Sequence, residues 1–121
     1  MIQKVNLADK FSSFSEQWSP KIIGEVNDAA VKLAKLSGAF EWHHHEHEDE
    51  LFLVVKGQLT IKLRDQDDIT LGEGECVIIP KGVEHLPVAK KEAHVLFFEP
   101  ATTLNTGNVQ SERTVRELER L

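Results

Sequence analysis

The sequence predicts an all-β fold, an antiparallel barrel or sandwich. Two observations carry that reading. Short apolar runs recur along the chain, bounded by Gly, Pro, Asn or Asp, with little helical periodicity between them. Within the central runs, apolar residues alternate in twos, the period of a strand that rests one face on a core. At 121 residues the chain is one domain in length and can bury a real core.

Taken in order, residues 6–14 read as a short helix, with Asn6 as its cap and Asp9 three residues on. Trp18-Ser19-Pro20 breaks it. Lys21–Val26 and Ala30–Leu36 read as strands joined at Asn27-Asp28, a turn pair suited to a hairpin. Ser37-Gly38 interrupts, and an extended run resumes over 39–45. On such a run Glu41, His43 and His45 share one face, while Phe40, Trp42 and His44 share the other.

Residues 50–55 and 59–63 read as a hairpin turning at Lys56-Gly57. That register sets Val54 opposite Leu59, Phe52 opposite Ile61 and Glu50 opposite Leu63. Its inner face is apolar, with Glu50 at the rim. Its outer face carries Leu51, Leu53 and Val55, which call for cover by another element or a second subunit. Asp65–Asp68 is a polar turn, Ile69–Leu71 a brief strand and Gly72-Glu73-Gly74 a bend. Cys76–Ile79, apolar on both faces, reads as a central strand with Cys76 an inert core thiol. Pro80-Lys81-Gly82 turns the chain toward His85. His94–Phe98 reads as a buried strand in which His94 is a core residue. Beyond Pro100 the chain is polar, until Ser111 caps an expected helix carrying Val115 and Leu118. The barrel is expected over about residues 21–100, with a tail and helix over 101–121.

Composition excludes several classes of function. Net charge is −6 without a basic stripe, which argues against nucleic acid or an anionic membrane as partner. A single cysteine allows no intrachain disulfide and suits a reducing compartment. The N-terminus lacks the apolar core of a signal peptide, and the longest apolar runs fall far short of a membrane span. The expectation is a cytoplasmic protein. No Ser/His/Asp or Cys/His arrangement, phosphate-cradling glycine loop or zinc-finger spacing occurs.

The chemistry concentrates at residues 43–57. Four of the six histidines lie between positions 43 and 47, followed by acids and then an apolar strand. Imidazoles with a carboxylate are the ligand set of a divalent transition metal. His43 and His45, two apart, project from one face of an extended strand, and Glu50 opens the next. Pairing His45 with His47 instead would leave two residues before Glu50, too few to leave the strand, reverse and return. The His43/His45 pairing leaves four and puts His47 on the reversal, near the mouth of the pocket.

These stretches resemble the paired motifs of the cupin superfamily. The first motif fits His43, His45, Glu50 and Gly57; the second fits Gly74, Pro80, Gly82 and His85. The resemblance covers about residues 38–98 and is similar to that of small single-domain cupins loosely labelled as mannose-6-phosphate-isomerase-like. Two positions depart from it. The glycine before the first histidine, Gly38, is one residue closer, and Ala89 stands where an Asn often ends the second motif. The resemblance implies a double-stranded β-helix, or jelly roll. It also implies one divalent metal per chain (Fe, Mn, Ni, Co or Zn) held by His43, His45, Glu50 and His85.

Three imidazoles and a carboxylate leave coordination positions open for water, dioxygen or a chelating substrate. The expected activities are dioxygenase or isomerase chemistry on a small molecule, with a metal-containing binding module that lacks turnover as the alternative. Phosphate recognition favours Arg, Lys or helix N-termini, whereas the expected pocket face shows only apolar side chains beside Glu50. The pocket therefore better suits a small, largely apolar or neutral organic molecule. No acid–base residue is singled out; Glu41, His47, Glu84 and His94 are the candidates. A homodimer is expected, because the outer hairpin face, together with Phe40 and Trp42, needs cover.

Overall fold

The computed structural model describes residues 2–121. Among them the elements run α1 (Leu7–Ser12), β1 (Lys21–Val26), β2 (Ala29–Ala39), β3 (Glu50–Lys56), β4 (Leu59–Leu63), β5 (Ile69–Leu71), β6 (Cys76–Ile79), β7 (His85–Pro100) and β8 (Glu119–Arg120). The architecture is the all-β jelly roll expected from the sequence. No helix among the described residues is long and apolar enough to cross a membrane.

Strand β7 organises the barrel. On one edge it pairs antiparallel with β2, from Ala29 opposite Pro100 to Ala39 opposite Val88. Its other edge is divided: β4 takes residues 85–88, and β3 takes residues 94–98. Between the two halves the register with β2 shifts, from Leu36 opposite Ala93 to Gly38 opposite Ala89. Lys90, Lys91 and Glu92 bulge into solvent there, and Gly38 takes a φ of +81° that a side chain would resist. The corner lets one strand serve two layers.

That division corrects the expected hairpin. β3 and β4 do not pair with each other; they lie end to end along β7. Gly57, at φ +90°, turns the chain from one layer into the other, where a Cβ would lie 3.2 Å from the backbone of Ala93. The alternation survives without the pairing. Glu50, Phe52, Val54, Leu59 and Ile61 are all buried. Side-chain parity follows from strand conformation alone, whereas the partner depends on topology.

Two other expectations are overturned. β6 is an edge strand paired only with β3, so Cys76 is exposed and not a core thiol. No C-terminal helix forms. Thr106, Asn105 and Thr114 instead engage one another and nearby backbone, and Glu119–Arg120 joins β1 as a parallel strand. Val115 and Leu118 alone give no apolar stripe, and short polar side chains compete with helical hydrogen bonds.

The main core fills the barrel with Ala34, Leu36, Phe52, Val54, Leu59, Ile61, Val95 and Phe97 among others. A second cluster lies outside it, where Phe11, Phe14 and Leu33 pack with Val55 and Leu96. Helix α1 exists to make that cluster. Asn6 caps it by accepting the Asp9 N–H at 2.9 Å, and Ser13 ends it on the Lys10 carbonyl. Six residues are too few to hold a helix without tertiary contact. Phe11, 3% exposed, supplies that contact and stacks on His94 with ring centroids 4.5 Å apart. The N-terminal segment thus covers Val55, while Ile78 (59%) and Phe98 (39%) stay exposed nearby.

Replacing Phe11 by Ala removes the anchor of α1 and opens a cavity against Leu33. Stability should fall by about 3 kcal/mol, measured by denaturant unfolding, with the barrel itself retained. A loss well under 1 kcal/mol would show that the helix is not held this way.

Candidate metal centre

The site forms where three stretches meet inside the barrel. β3 enters with Glu50 as its first residue and points it inward with Phe52 and Val54. β7 begins with His85, directly after the Pro80–Gly82 turn. Residues 40–49 form no strand, yet they are fixed against β7 by an isolated bridge. His43 N–H donates to the His85 carbonyl at 3.1 Å, and His85 N–H returns the bond at 2.9 Å. Gly82 N–H holds the His45 carbonyl at 2.8 Å.

All four expected residues come together. His43, His45, Glu50 and His85 are each buried, and their ligand atoms lie within 4.8 Å of one another. Donors on opposite sides of a metal at ~2.1 Å stand about 4.2 Å apart, so little contraction is required. His43 and His85 place Nδ1 on the carbonyls of Glu41 (2.8 Å) and Val83 (3.0 Å). Donation there fixes the tautomer that leaves Nε2 as a lone pair.

The inward atoms are short of partners. His45 Nε2, His85 Nε2 and Glu50 Oε1 are buried without a hydrogen bond. Both imidazoles stand 3.4 Å from Glu50 Oε1 without forming a hydrogen bond. Each orphaned buried group costs about 1–3 kcal/mol. A divalent cation satisfies all of them at once, and the residue types fit one. Burial, with the neighbouring His85, holds the His43 imidazole down at about 4. Glu50 is the opposite case. Burial alone would raise it, but His45 and His85 outweigh that and keep it ionised well below the usual carboxylate range.

A small cleft opens beside the cluster. Trp18, Phe40, Phe52 and Phe97 supply the aromatic half of its apolar lining residues, and His43, Glu50 and Glu99 line its polar end. Phe40 was expected to face outward. β2 ends at Ala39, so the alternation stops, and Phe40 turns in to stack on Trp18 at 4.6 Å and meet His43 edge-on at 5.4 Å.

The expected acid–base candidates lie elsewhere. Glu41 accepts from Ser111, Glu84 pairs with Arg64, His47 is exposed, and His94 stacks on Phe11 outside the barrel. His44 points away from the cluster toward Glu46. The sequence reading missed two buried charges, Lys32 and Glu99, which pair at 3.2 Å. They correct the expectation of an apolar face beside Glu50. Burial and the charge of Glu50 push Glu99 up, with Lys32 opposing. A signal was present: Lys32 stands in step with Ala30, Ala34 and Leu36, a cation on an otherwise apolar face. Trp18 and Asn105, also lining the cleft, come from segments that carry no motif.

Known proteins share this fold. The family model described as the cupin domain matches residues 31–99, and the chain belongs to the cupin family. It is 38% identical over 85 residues to the uncharacterized protein YdbB of Bacillus subtilis (strain 168), across 70% of this chain and 75% of that protein. The crystal structure of a cupin-2 domain containing protein from Shewanella frigidimarina NCIMB 400 matches with a TM-score of 0.77 and 51% identity, covering 79% of this chain and 93% of that one. Acireductone dioxygenase of Tuber melanosporum (strain Mel28) is 30% identical over 110 residues, 82% of this chain and 60% of the enzyme.

Without metal, the buried imidazole makes folding sensitive to acid. An unfolded histidine takes up a proton near pH 6.5, whereas folded His43 stays neutral until about 4. The unfolded state therefore binds more protons between those values, and stability falls as pH drops through the window, by up to about 3 kcal/mol. Melting curves in chelator from pH 7.5 to 4.5 should show that fall, and His43→Gln should flatten it. A wild-type profile that stays level would contradict the assignment.

Proposed function

We propose that this cupin is a mononuclear metal enzyme of the dioxygenase type, acting on a small, largely apolar organic molecule in the barrel mouth. The observation that carries the reading is the set of orphaned donor atoms on His45, Glu50 and His85, converging with His43 beside an open apolar cleft. A divalent metal bound there supplies a Lewis-acid centre with one or two positions free for substrate or dioxygen. The similarity to an acireductone dioxygenase supports oxygen chemistry over isomerisation. At the polar end of the cleft, Lys32 is committed to Glu99 and offers no phosphate cradle.

The chain's own residues would do the rest. Trp18, Phe40, Phe52 and Phe97 exclude water and hold a flat apolar substrate against the His43 side of the cluster. The carbonyls of Glu41 and Val83 orient two imidazoles. Glu99 keeps one buried oxygen, Oε2, without a partner, at hand for a polar group of the substrate. A binding module without turnover is the second reading, favoured by the scarcity of acid–base groups: beside the cluster residues, Glu99 is the one titratable side chain lining the cleft, and it is paired with Lys32.

Elemental analysis of untagged protein should find one divalent transition metal per chain. His43→Ala and His85→Ala should lose most of it, whereas His47→Ala should keep it. Metal-loaded protein screened against small enolic and phenolic compounds should consume dioxygen with at least one. Full metal content in the His85 variant would sink the ligand assignment, and tight binding without oxygen uptake would favour the module.

We propose separately that two copies pair over the outer sheet face. Val31, Phe98, Leu51 and Ile78 stand side by side across four strands, and Ile78 and Phe98 are exposed. A two-fold pairing covers this row with itself. Sedimentation at micromolar concentration should give a dimer that Ile78→Asp dissociates; a compact wild-type monomer would refute it.

A further inference from the structure

We infer that the C-terminal segment 101–116 positions the site histidines, with Gly107 and Asn108 as its positioning residues; the inference rests on the metal reading above. The reason lies in how little else holds the histidine stretch. Between Ala39 and Glu50 the chain has no strand. One side of it is fixed by the His43–His85 bridge and by Gly82. His44, between the two inward-facing imidazoles, presents its backbone groups to the opposite side, and Asn108 takes both. The His44 N–H donates to Asn108 Oδ1 at 2.8 Å, and the Asn108 N–H donates to the His44 carbonyl at 2.9 Å. A single residue thus stands in for a missing neighbouring strand.

Gly107 makes that approach possible. A Cβ at this position would overlap the His44 carbonyl oxygen and lie 3.1 Å from His43 Cδ2, and its φ of +57° also disfavours a side chain. Ser111 and Thr102 pin the flanks, donating to Glu41 at 2.7 Å and to Glu48 at 2.9 Å. The segment is itself stiff. Asn105 donates to the Arg113 carbonyl and accepts from the Val115 N–H, and the buried Thr106 hydroxyl meets that of Thr114 at 2.6 Å. Backbone position at residue 44 sets the spacing of imidazoles 43 and 45, and a metal tolerates about 0.5 Å of error in its donors. Groups that orient ligands in this way are worth roughly 10–100-fold in metal affinity.

The test compares wild type with Gly107→Ala, Asn108→Leu and Asn108→Asp. Each is titrated with Co²⁺, and amide exchange at residues 43–45 is followed in the metal-free protein. Gly107→Ala and Asn108→Leu should bind Co²⁺ about tenfold or more weakly, with a changed visible spectrum and faster exchange at 43–45 but unchanged exchange in β2 and β7. Asn108→Asp keeps an acceptor for the His44 N–H and should recover most of the affinity. Should Gly107→Ala not fold, Asn108→Leu and its Asp counterpart decide alone. Wild-type affinity and exchange in Asn108→Leu would overturn the inference, even with a lowered melting temperature. If wild type itself takes up no Co²⁺, the metal reading fails, and exchange at 43–45 alone still decides whether the segment positions these residues.

Discussion

The double use of β7 is the constraint on which the rest depends. Its sixteen residues pair with β2 along one edge, and its other edge is divided between β3 and β4. Strand β7 therefore starts at the histidine–glutamate cluster with His85, and near its other end Glu99 lines the cleft beside that cluster. The bulge at Lys90–Glu92 brings this about by turning the strand from one layer to the other. A straight strand of that length would put its ends roughly 50 Å apart.

The centre so built is a compromise between packing and chemistry. Three imidazoles and two carboxylates share a largely apolar barrel interior, where charged groups without partners are costly. The chain limits that cost in two ways. Lys32 pairs directly with Glu99, and backbone carbonyls take up the outer nitrogens of His43 and His85. The inner atoms of His45, His85 and Glu50 remain unsatisfied, which is the expected state of donors held ready for a cation. Ligands arranged before the ion arrives spend stability on binding, and the rigidity around them keeps the arrangement from collapsing.

Much of this was legible in the sequence, for identifiable reasons. Side-chain parity is local, so the inward set of Glu50, Phe52, Val54, Leu59 and Ile61 could be read without knowing their partners. The spacing of His43, His45, Glu50 and His85 was likewise visible, because a metal site demands residue types that seldom cluster by chance. Pairing was not legible: nothing in Lys56-Gly57 distinguishes a hairpin from a turn between layers. Nor was the exposure of Cys76, since an edge strand and a central one can carry the same residues. The C-terminal tail misled because Ser111, Val115 and Leu118 mimic a helix start, while its contacts with Glu41 and His44 span some seventy residues. Lys32 was the overlooked clue, a lone cation in an apolar register that implied a buried partner.

Trp18 has a consequence of a different kind. The chain contains two tryptophans. Trp42 lies under the Arg64 guanidinium at 3.8 Å and does not line the cleft. Trp18 does, with its indole N–H tied to the Ser37 carbonyl at 2.9 Å and its ring face to face with Phe40. A molecule entering the cleft changes the polarity around one indole and leaves the other alone. The protein thus carries its own fluorescent gauge of pocket occupancy, with a second tryptophan as internal standard.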